Sequence, residues 1–91
     1  MGDIDIFRQI ILSFHVQGMI ALGKIEHPYK KEKDVNLEVA ETALAMLRMI
    51  KEKTKGNLSE EEEKFLDDAI DQLQYDFMNE RKKSEQNNNE K

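Results

Sequence analysis

The chain contains no cysteine, which excludes a disulfide framework, a thiol nucleophile and thiolate zinc sites together. Tryptophan is also absent and only 38% of the 91 residues are hydrophobic, so the core is small and association would help to stabilise it. A single proline, Pro28, leaves few helix breaks. No stretch alternates apolar and polar residues at the strand period, so the chain reads as all-helical. Long hydrophobic runs are missing too. The longest candidate, Ile4 to Leu22, is interrupted by Asp5, Arg8, Gln9, His15 and Gln17, and ionisable groups at bilayer depth are costly, so no membrane partner is expected. The N-terminus carries no basic stretch followed by an apolar run and a small-residue cleavage site, which makes a cytoplasmic location the expectation. Gly2 would suit myristoylation, but Ile6 stands where that motif needs Ser or Thr. A formal net charge of −5 disfavours broad contact with a nucleic-acid backbone.

What the sequence does contain is helical periodicity. Residues 1–83 form one expected helical domain, with helices over about 4–22, 37–55 and 60–81, and residues 84–91 form an expected disordered polar tail, because KKSEQNNNEK, from Lys82 onward, has nothing apolar to bury. Gly23 suits a left-handed cap at the end of the first helix. A charged connector over residues 24–35, holding His27 and Pro28, then leads to Asn36, a cap for the second helix. Leu37, Val39, Ala40, Ala43, Leu44, Met46, Leu47 and Ile50 share one face of that helix.

The stretch KEKTKGNLSEEEE, Lys51 to Glu63, is explained residue by residue as a bend between helices. Gly56 lies where a helix end needs positive φ, and Lys51, Lys53 and Lys55 favour the negative end of the helix dipole. Ser59 and Glu62 match a capping box, Glu60 to Glu63 suit the positive end of the next helix, and Leu58 is the apolar plug between the two caps. The third helix buries Phe65, Leu66, Ala69, Ile70, Leu73 and Phe77. So short a turn makes the second and third helices an antiparallel hairpin, with Ile50 near Phe65 or Leu66 and Leu44 near Leu73.

The first helix is apolar on two sides. Ile4, Ile6, Phe7, Ile10, Ile11, Phe14, Ala21 and Leu22 form a broad face around Gly18, whose presence implies a close helix crossing. Leu12, Val16, Met19 and Ile20 form a second, narrower group. Two companion helices cannot cover both, so these four residues are the expected interaction surface of a homo-oligomer, most simply a dimeric bundle.

Sites of chemistry fare poorly against this reading. One glycine is too few to cradle phosphate, and four glutamates would repel it. Glu60 to Glu63 with Asp67, Asp68 and Asp71 point around a helix rather than into a calcium loop, and neither His15 nor His27 has a second ligand at i+4, so no metal and no cofactor is expected. Ser13 and His15 face apart, Asp5 is not on the histidine's side, and no catalytic residue is proposed.

Taken together, KTKGNL with Ser59, Glu62, Leu66 and Leu73, the helix-two residues Leu37, Ala40, Leu44, Leu47 and Ile50, and the helix-one residues Ser13, Phe14, Gly18, Leu22 and Gly23 resemble the bacterial domain-of-unknown-function family 1844. The KTKGNL block is the specific part, and the resemblance covers nearly everything but the tail. Ala45 and Gln74 stand where the family pattern carries Asp and Arg, so a cross-helix ion pair of that pattern is absent here. The resemblance implies no activity, substrate or cofactor. The expectation is a non-enzymatic protein-interaction module with an unidentified protein partner. The alternative is a nucleic-acid-associated protein using Lys24, Lys30, Lys31 and Lys33 of the connector with Lys51, Lys53 and Lys55 at the turn, and Tyr29 as a stacking platform.

Overall fold

The structure, a computed structural model, describes residues 2–25 and 35–89. It consists of α1 (Asp3–Ala21), α2 (Leu37–Lys53) and α3 (Glu60–Asn89). Each helix packs on both others, and all described regular structure is helical. The conformation of connector residues 26–34, with Tyr29, Lys30, Lys31 and Lys33, lies outside the described residues, as do the last two residues of the tail.

The helix ends follow from local chemistry. α1 closes in a Schellman motif: Lys24 N–H donates to Met19 C=O at 2.9 Å and Gly23 N–H to Ile20 C=O at 3.0 Å, with Gly23 at φ 75°. Val39 N–H donates to Asn36 Oδ1 at 3.1 Å, capping α2 as expected. At the bend, Gly56 has φ 82°. Ser59 N–H donates to Glu62 Oε1 at 2.8 Å, and Glu62 N–H donates to Ser59 Oγ at 3.1 Å, which is the reciprocal capping box. Leu58 is half-buried against the core and does plug the turn.

Three contacts set helix directions. Asn36 N–H donates to Ala21 C=O at 2.7 Å, so the chain re-enters the bundle where α1 ends and α2 runs back along it. α3 then runs parallel to α1, because Arg8 pairs with Glu61 near both helix starts and Gly18 meets Leu73 further along. The core combines Ile11, Met19, Ala21 and Leu22 of α1 with Ala40, Ala43, Leu44 and Leu47 of α2 and Leu66, Ala69, Ile70, Leu73 and Phe77 of α3. Ile50 and Phe65 pack at its edge.

Helix boundaries differ at two places. α2 ends at Lys53 rather than 55 because Thr54 closes it: its hydroxyl donates to Ile50 C=O at 2.6 Å, and its N–H to the same oxygen at 2.9 Å. α3 continues to Asn89, eight residues past its expected end at 81 and through most of the segment expected to be a disordered tail. Lysine, glutamate and glutamine are good helix formers, and Arg81–Glu85 at 3.4 Å adds an i,i+4 pair.

Candidate interaction surface

Of the four residues expected to form the interaction surface, the structure keeps two outside and draws two in. Leu12 and Val16 are 46% and 36% exposed. Met19 is buried and Ile20 half-buried, which corrects the expectation that all four share one free face. The cause is Gly18. A Cβ built on it would stand 2.6 Å from Leu73 Cδ1, so α3 comes close enough at this level to cover the neighbouring Met19.

The opposite correction applies to four residues assigned inward. Ile6, Ile10, Val39 and Met46 are 40–47% exposed. A helix in a three-helix bundle has two neighbours, so an apolar arc wider than they span leaves its flank outside. The flank lies on the α1–α2 side, where Phe14 and Gln17 of α1 and Glu38, Val39, Thr42, Ala43 and Met46 of α2 line a groove of about 260 Å³. Met49, also exposed, continues it. A signal in the sequence points to this surface: Val39, Thr42, Met46, Met49 and Lys53 recur at alternating spacings of three and four, the repeat of a helix-pairing seam.

Two side-chain charge pairs link the helices. Arg8 donates to Glu61 at 2.5 Å, and its guanidinium lies over the Phe65 ring, 5.6 Å from the centroid, tying α1 to the start of α3. Lys51 Nζ lies 2.7 Å from Asp67 Oδ1. The hydrogen bond and charge of Asp67, with smaller contributions from Asp71 and Glu63, hold the Lys51 ammonium above its ordinary value and outweigh a slight desolvation. His15 is half-buried, and its Nε2 is buried without a hydrogen-bond partner.

A cleft of about 400 Å³ lies beside the bend, lined in part by Arg48, Lys51 and Lys55 and by Glu52, Glu63 and Asp71. Its charges are mixed, so it favours neither an anion nor a cation. Gln74 lines this cleft and Ala45 does not. Among the described residues no group of three or more His, Asp or Glu side chains could hold a metal ion, and no helix is long and apolar enough to cross a membrane.

Comparison with known proteins adds one result. A family model described as "Domain of unknown function (DUF1844)" matches residues 4–79, which takes in α1 but for its first residue, all of α2, the bend and the packed part of α3. No curated protein and no solved structure matches the chain.

Proposed function

The chain belongs to the DUF1844 family, whose description assigns no chemistry, and from that premise we propose that it is a non-enzymatic protein-interaction module that acts as a homo-oligomer, most simply a dimer, in the cytoplasm. The observation that carries this reading is the apolar surface left on α1 after folding. Ile6 and Ile10 on one side, with Leu12 and Val16 on the other, are 36–47% exposed although two helices already pack on α1. Burying such surface contributes about 25 cal/mol per Å², and residues of this kind gathered on one element mark association sites.

The non-enzymatic part rests on chemistry. Catalysis needs convergent polar groups in a site that excludes water. The cleft beside the bend is open, and Lys51 on its wall is paired with Asp67 of α3.

The test is the solution mass of the full chain over a range of concentrations, by light scattering or sedimentation. Twice the chain mass is expected. A monomer throughout, with no protein retained on the tagged chain from its native cell, overturns the proposal.

A further inference from the structure

We infer that two copies pair through the outer face of α2, antiparallel, with the two-fold axis passing beside Ala45 and Met46. This rests on the self-association proposed above and specifies its surface, register and partner, a second copy of this chain.

The face is marked by exposure and spacing together. Val39, Met46 and Met49 are 47%, 40% and 47% exposed and follow the alternating three-and-four repeat that ends at Lys53. Exposed Ala45 beside Met46 offers no bulk, which lets a second helix approach closely at the midpoint of α2. α1 widens the face: Ile10 and Met46 lie at one level, each ten or eleven residues from the Ala21–Asn36 junction, so Ile10 borders the axis and Ile6 extends the apolar strip. Leu12 and Val16, on the other side of α1, have no such repeat beside them.

The charges choose the register. α2 carries Glu38 and Glu41 in its first half and Arg48 and Lys53 in its second. Antiparallel pairing about Ala45 and Met46 sets Glu38 against Lys53 of the second copy, twice by symmetry, and lays the acidic first half of each α2 along the basic second half of the other. The same register opposes Thr42 to Met49 and brings the two Met46 side chains together at the axis. Parallel pairing would oppose every charge to its own kind. Glu52 approaches Glu38 of the second copy and is the like-charge contact that remains.

Because the chain has no cysteine, single cysteines report the surface directly. Under mild oxidation, Ala45→Cys forms a covalent dimer at least about tenfold faster than Leu12→Cys, since paired thiols experience a far higher effective concentration than colliding ones. A rate at Leu12→Cys equal to or above that at Ala45→Cys, with a dimeric mass, overturns the surface assigned here and leaves self-association standing. A monomeric mass with slow oxidation at both positions overturns both.

Charge reversal tests the register. Glu38→Lys and Lys53→Glu each weaken self-association about tenfold or more, and mixing the two variants restores dimer, because each then meets the opposite sign. A folding defect would not be rescued by mixing. Dimerisation unchanged in both single variants overturns the antiparallel register.

Discussion

Gly18→Ala puts the close approach of α1 and α3 to a quantitative test. The added methyl would lie 2.6 Å from Leu73 Cδ1, 2.8 Å from Cδ2 and 3.2 Å from Cγ. Those methyl groups can turn away only into a packed interior, because Leu73 is fully buried. Inserting one carbon into such a core costs about 1–3 kcal/mol. Against it stands the gain of about 1 kcal/mol for alanine over glycine inside a helix. The crossing therefore predicts a net loss of about 0–2 kcal/mol, whereas helix propensity alone predicts a gain.

A second background separates the two effects. In Leu73→Ala all three clashing atoms are gone, so Gly18→Ala should stabilise that variant by about 1 kcal/mol and occupy part of the void. The two substitutions then couple by about 1–3 kcal/mol. Urea unfolding of the four chains, followed by far-UV circular dichroism because the chain lacks tryptophan, gives each value. The reasoning is refuted if Gly18→Ala stabilises the wild-type chain as much as it stabilises Leu73→Ala.

Three further outcomes follow from single contacts. Gly56→Ala should cost about 1–2 kcal/mol in the same assay despite open space around it, because φ 82° is left-handed. His15→Phe should leave stability unchanged or raise it by about 1 kcal/mol, since an unpartnered buried nitrogen is replaced by an apolar ring. Lys51, raised by Asp67 above the ordinary lysine value of 10.5, contributes stability that is full below that value and is lost as pH rises through the higher folded value. The urea midpoint of the wild type should therefore fall more steeply above pH 10.5 than that of Asp67→Asn, and equal slopes would remove the Lys51–Asp67 pair as its cause.

Much of the molecule was legible because its signals are local. The cap at Asn36, the left-handed Gly23 and Gly56 and the Ser59–Glu62 box involve residues at most three to five positions apart, so short stretches of chain carry the full geometric requirement. Gly18 was legible for a different reason: a glycine inside a helix is unfavourable unless something needs the room, and Leu73 does. The candidate surface was read less well. Leu12 and Val16 stay outside, yet Met19, three residues after Val16, belongs to the core, and Ile6, Ile10, Val39 and Met46 do not.

The amino-acid order alone carried the caps at Gly23, Asn36, Gly56 and Ser59 and the three helices of the described residues, although it placed the end of α2 two residues late and that of α3 eight residues early. These follow from hydrogen bonds and side-chain periodicity within a few turns. Which apolar residues reach water was decided only when α2 and α3 took their sides of α1. Burial depends on the azimuth and distance of a neighbouring helix, and neither quantity exists until the helices pack.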